Sequence, residues 1–154
     1  MAMHTWFECK IRYEKVMENG MQKKVTEPYL VDALSFTEAE ARIIEEMSPF
    51  ISGEFTVSDI KRANYSELFP SDEEAADRWF KSKLVFITLD EKSGAEKKTS
   101  TQVLIQASDL RDAIKKLDEG MKGTMADYQI ASVAETAIMD VYPYSAEADD
   151  KPEV

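Results

Sequence analysis

Phe7, Cys9, Ile11 and Tyr13 alternate with Glu8, Lys10, Arg12 and Glu14, a period of two that predicts a strand with one apolar face. Glu18-Asn19-Gly20 reads as a turn, and a second alternating run puts Val25, Tyr29, Val31 and Ala33 on one face. Both apolar sets are odd-numbered, so facing residues sum to an even number and the loop needs an odd length. A three-residue Glu18-Asn19-Gly20 loop with Gly20 left-handed meets that condition. Ser35-Phe36-Thr37-Glu38 is a capping-box pattern, and the helix behind it aligns Phe36, Ala39, Ile43 and Met47 before Pro49 and Gly53 end it. A third strand is expected from Phe55 and Val57, with a slip of apolar phase at Ile60 that marks a bulge, closing at Tyr65 and Leu68.

A polar connection spans 70–77, in which Ser71 and Glu74 suggest one or two helical turns. The scheme then restarts. Phe80, Leu84 and Phe86 line a strand, Lys92-Ser93-Gly94 turns, and Val103, Ile105 and Ala107 line the next strand. Ser108 starts a helix with Leu110, Ala113, Ile114, Leu117 and Met121 on one side, stopped by Gly120 and Gly123. Tyr128 and Ile130 open a last strand whose phase slips at Val133. "WFECKIRY" at Trp6 and "WFKSKLVF" at Trp79 lie 73 positions apart and hold the chain's two tryptophans. Leu30–Ala33 matches Leu104–Ala107 at 74, and the added residue falls in the second hairpin loop, where parity independently requires an even length. The pattern predicts an α+β fold of two tandem strand-strand-helix-strand repeats, 3–69 and 78–142, joined by linker 70–77. The two form one unit over 1–144 with a pseudo-twofold axis, their helices packed on one face of antiparallel sheet. Halves of about 65 residues are near the lower limit for folding alone, which favours a joint body.

Composition then narrows the class. The 154 residues are 44% hydrophobic, enough for a core, and carry a net charge of -11. Glu147, Asp149, Asp150 and Glu153 against Lys151 make 145–154 an acidic tail, expected to be disordered and able to compete for a basic surface. An acidic excess repels nucleic acid and anionic membranes at long range. One cysteine cannot form an internal disulfide, no basic-then-apolar leader is visible, and no window approaches a membrane span. A cytoplasmic protein is expected.

The runs "HTWFECKIRYEK", "EPYLVDALSFTEAEARIIEEM" and "FTVSDIKRANYSEL" resemble a family of small acidic proteins from gut Bacteroidetes and related phages, classed as a domain of unknown function. The likeness spans the chain short of its acidic tail. It implies a cytoplasmic bacterial or phage-associated protein and carries no activity and no catalytic residues.

Catalytic motifs are absent: there is no phosphate-binding loop, dinucleotide fingerprint or nucleophile elbow. One histidine, His4, and one cysteine, Cys9, cannot furnish a zinc site with ordinary ligands, and no cofactor is implied. Cys9 falls on the inward face as a small hydrophobe. Glu45-Glu46 and Asp72-Glu73-Glu74 read as solvated helix ends, and Asp90–Gly94 lacks calcium-loop spacing. The outward face of the sheet holds more. Trp6, Lys10 and Arg12 share one side of the first strand, Trp79, Lys81 and Lys83 one side of the fourth, and Lys24 and Lys98 the outward side of strands two and five. The expectation is a non-catalytic binding or adaptor protein that uses an open sheet face, with a protein partner favoured over nucleic acid. A single-stranded nucleic-acid binder stacking bases on the two tryptophans is the first alternative, with Glu8 and Glu14 on that face against it. An enzyme with carboxylates between the halves is the second. Exposed strand edges would also allow a homodimer.

Overall fold

A computed structural model describes residues 5–144; His4 and the acidic stretch 145–154 lie outside the described residues. The elements run β1 Trp6–Val16, β2 Gln22–Asp32, α1 Phe36–Met47, β3 Phe55–Ala63, β4 Glu67–Phe69, β5 Arg78–Leu89, β6 Glu96–Ala107, α2 Leu110–Gly120, β7 Asp127–Glu135 and β8 Val141–Tyr142. The fold is α+β: two four-stranded, mainly antiparallel sheets and two helices. Two compact units divide the chain. The first takes the residues up to Asn64 and resumes at Ile138; the second is continuous over Tyr65–Ala137.

In the first unit the strand order is β3-β1-β2-β8. β1 pairs antiparallel with β2 in the register Phe7↔Val31, Cys9↔Tyr29 and Tyr13↔Val25, so the odd-numbered side chains share a face as parity requires. Val16↔Gln22 is the last paired rung; the Met17 N–H then donates to the Met21 carbonyl at 2.8 Å, which leaves the loop Glu18-Asn19-Gly20 with Gly20 at φ 81°. On the other side β1 pairs with β3, where Lys10↔Asp59 steps to Ile11↔Val57 and leaves Ser58 as the bulged residue. That extra residue is why the apolar phase changes between Val57 and Ile60. Helix α1 lays Ala39, Ile43 and Met47 on the odd-numbered face, over Phe7, Cys9, Ile11, Val31 and Ala33. Burying side chains of this size contributes about 1.5–3 kcal/mol each, which outweighs the modest propensity of a helix only 12 residues long.

The second unit has the order β7-β5-β6-β4 when read in the same sense. Leu89↔Glu96 ends its hairpin register, and the Asp90 N–H to Ala95 carbonyl bond of 2.9 Å closes an even-length loop with Gly94 at φ 69°. Its bulge lies at Ala131, where Lys83↔Ser132 steps to Leu84↔Ile130. Helix α2 packs Ala113 and Leu117, with its C-cap Met121, on Phe80, Leu84, Val103, Ile105 and Ala107.

Both helices start on a side-chain cap. Ser35 Oγ accepts the Glu38 N–H at 3.1 Å, and Glu38 Oε1 accepts the Leu34 N–H at 3.3 Å, one residue earlier than a capping box requires. Asp109, not Ser108, caps α2: its Oδ1 accepts the Asp112 N–H at 2.8 Å, while Asp112 Oδ2 accepts the Ser108 N–H at 2.9 Å. Two further expectations are corrected. The stretch after Pro70 forms no helix; Ser71 Oγ accepts the Glu73 N–H at 3.2 Å in a tight turn instead. Leu68 does not extend β3: the strand stops at Ala63, and Leu68 enters the second unit in β4, parallel to β6. Among the described residues no helix is long and apolar enough to cross a membrane.

Candidate functional site

The even-numbered face of β1 turns away from α1. Its rungs read Ala63–Trp6–Asp32, Lys61–Glu8–Leu30, Asp59–Lys10–Pro28 and Thr56–Arg12–Thr26, with Glu14 opposite Lys24 at the hairpin end. The two ends of this face differ. At the β1 start Trp6 is 3% exposed and Leu30 is fully buried; at the hairpin end Arg12, Glu14 and Lys24 are exposed. The outward face of β5 shows the same contrast. Trp79 is 5% exposed, whereas Lys81, Lys83 and Lys98 are exposed.

The expected stacking platform therefore does not form. Parity assigns both tryptophans to the outward side, and the structure keeps them there, but that side is covered where they sit. An indole this buried offers no ring face to a base.

The cations group unevenly. Same-side residues along a strand stand about 7 Å apart. Lys10 and Arg12 are such neighbours, and Lys24 lies one rung further across the sheet. Arg12 and Lys24 line an open groove of about 610 Å³ with Glu14, Gln22, Glu54 and Thr56. Ser52 and Gly53, in the connection from α1 to β3, line it too. In the second unit Lys81 and Lys83 are neighbours, but Lys98 faces Ile87, two rungs from Lys83, with Val85 and Ser100 between. Among the described residues none of these six side chains makes an ion pair or a hydrogen bond. Of the two acids expected to oppose them, Glu8 is engaged by Lys61 at 3.4 Å, while Glu14 stands opposite Lys24 and lines the same groove.

A second polar group lies on the α1 side of the first sheet. Glu27 stands opposite Ile11 on the inward face, with its side chain 13% exposed. Its Oε1 accepts the Tyr13 hydroxyl at 2.7 Å and the Tyr29 hydroxyl at 3.2 Å, and Lys15 Nζ lies 3.8 Å from Oε2. Burial, reinforced by the Glu27 carboxylate, pushes Tyr13 up to about 12 and raises Tyr29 as well. These phenols stay protonated at neutral pH and serve as donors, not as bases. The sequence signals this cluster: Glu27 interrupts the odd-numbered series between Val25 and Tyr29.

Cys9 is buried, and desolvation, with smaller effects of Glu8, Asp59 and Glu40, pushes its thiol up to about 12. It carries no thiolate for nucleophilic chemistry. No group of three or more His, Cys, Asp or Glu side chains is placed to hold a metal ion among the described residues. What this surface can do is attract an anion: ammonium and guanidinium groups, exposed except for the half-buried Lys10, that engage no carboxylate among the described residues.

No curated protein matches the sequence. Residues 5–144 match the domain of unknown function DUF4494, and the chain belongs to that family.

Proposed function

We propose that the protein is a non-catalytic binding or adaptor protein, and that an anionic protein surface docks on the exposed, cation-bearing part of its sheets. One observation carries this reading. In a chain with 30 acidic against 19 basic residues, Lys10, Arg12, Lys24, Lys81, Lys83 and Lys98 all point outward from sheet and engage no carboxylate among the described residues. Complementary charge of this kind speeds encounter and fixes register more than it adds affinity. Duplication of a half-length ancestor accounts for such cations on both sheets. The burial of Trp6 and Trp79 favours a protein over single-stranded nucleic acid as partner, because the bases lose their stacking surface. The resemblance to small acidic proteins of gut Bacteroidetes and their phages adds a bacterial cytoplasmic setting.

The test is an NMR titration of the isotope-labelled full chain with a glutamate-rich peptide and, separately, with an oligothymidylate. Amide shifts at Arg12 and Lys24 that saturate with the peptide and vanish at high salt are expected. A response to the oligonucleotide alone replaces this reading with nucleic-acid binding. No response to either probe overturns it.

A further inference from the structure

Each sheet ends in a short strand that pairs in parallel with a strand it does not adjoin in sequence, and the two arrivals share one pattern. In the first unit Val141 stands beside Leu30 and Tyr142 beside Val31; in the second Leu68 stands beside Leu104 and Phe69 beside Ile105. The bond before each strand is the same: the Met139 N–H donates to the Pro28 carbonyl at 2.9 Å, and the Ser66 N–H to the Gln102 carbonyl at 2.8 Å. Both arriving segments read aliphatic–aromatic–proline, Val141-Tyr142-Pro143 and Leu68-Phe69-Pro70. In both the aromatic ring packs against the core cluster: Tyr142 stacks on Tyr29 at 6.2 Å, and the Phe69 ring comes close to Gly120 of α2. The proline then ends the pairing, since it has no N–H to donate.

A helix cation clasps the chain at or just beyond each proline. Arg42 of α1 donates to the Asp32 carbonyl and to the Pro143 carbonyl at 3.2 Å, and its guanidinium lies 4.3 Å from the centre of the Tyr144 ring. Lys116, at the corresponding place on α2, donates to Ser71 Oγ at 3.1 Å and to Glu73 Oε2 at 2.9 Å. Backbone bonds at a sheet edge, alternate side chains read by the core, and a clasp at the end are the components of strand-addition recognition.

The geometry points to a strand-binding site on the β2 edge of the first unit, selective for an extended aliphatic–aromatic–proline peptide and occupied in this chain by its own segment 138–144. Two seated examples of one motif in one register define the ligand. Tethering keeps the resident segment in place at a high effective concentration, so a peptide from another molecule enters when that segment is released.

The experiment makes the resident segment separable in the full chain. A protease recognition sequence is placed between Ala137 and Ile138, the protein is folded, and the site is cut. A fluorescent peptide with the sequence of residues 138–144 is then added in excess and its binding measured by anisotropy. Saturable uptake is expected, with binding at least about tenfold weaker for the same peptide carrying Tyr142→Ala, and competition by an unlabelled peptide spanning 66–71. If the cut protein loses its fold, the intact chain with Arg42→Ala is titrated instead, and the Leu30 and Val31 amides are watched by NMR. A folded protein of either kind that ignores the peptide, or that takes the Tyr142→Ala peptide equally well, overturns the proposal.

Discussion

Glu27 and its two phenols show how one polar residue is made tolerable on a core-facing surface. A half-buried carboxylate is costly without donors, and Tyr13 and Tyr29 supply two to the same oxygen. Tyr13→Phe removes the shorter bond and leaves Tyr29 and Lys15, so a loss of about 1 kcal/mol is expected in urea unfolding. The same phenols set a pH limit. Burial raises Tyr13 and Tyr142 from 10.0 to about 12, and Tyr29 moves in the same direction. Above pH 10 the unfolded chain releases these protons while the folded chain keeps them. Their contribution is therefore complete below pH 10 and declines as pH rises toward 12. Tyrosinate absorbance should lag in the folded protein through that window and catch up on unfolding; for Tyr13, Tyr29 and Tyr142, titration at their unfolded values would contradict the burial argument. Cys9 gives a companion readout: a disulfide reagent should label it only as the protein unfolds.

At the scale of elements, the end of α2 is fixed by a close approach that only glycine permits. A Cβ on Gly120 would lie 2.6 Å from the Phe69 ring. Gly120→Ala gains about 1 kcal/mol of helix propensity and forces β4 or the helix to move, at a cost of about 1–3 kcal/mol. Net destabilisation is expected, and Phe69→Leu should relieve part of it in a double-mutant cycle. Legibility in the sequence tracks the range of the interactions. Alternation gave the inward faces, parity gave both hairpin loops, and the phase slips before Ile60 and Val133 located bulges at Ser58 and Ala131, because each is local. Leu68 and Val141-Tyr142 read in the sequence only as ends of the preceding strands, not as the separate parallel strands β4 and β8, because their partners are remote in sequence and two or three residues carry no period. The candidate face was legible only by half. Alternation says which side Trp6 and Lys10 share; it does not say that one end of that side is covered and the other open.

For the molecule as a whole, the discontinuity of the first unit has a kinetic consequence. Its closing segment is clasped by a residue 101 positions away, Arg42 to Pro143, whereas β4 is held to β6 by Ser66 and Gln102, 36 positions apart. Loop-closure entropy makes the longer closure costlier by about 1 kcal/mol, which disfavours its forming early. β8 should therefore join after the transition state, and β4 should be partly in place by then. Val141→Ala and Leu68→Ala remove comparable aliphatic groups at matching rungs. Stopped-flow folding of the two variants should separate them. Val141→Ala should leave the folding rate almost unchanged and speed unfolding, while Leu68→Ala should also slow folding. Equal slowing of folding by both would mean that the distant closure forms early, and the order derived from chain separation would be wrong.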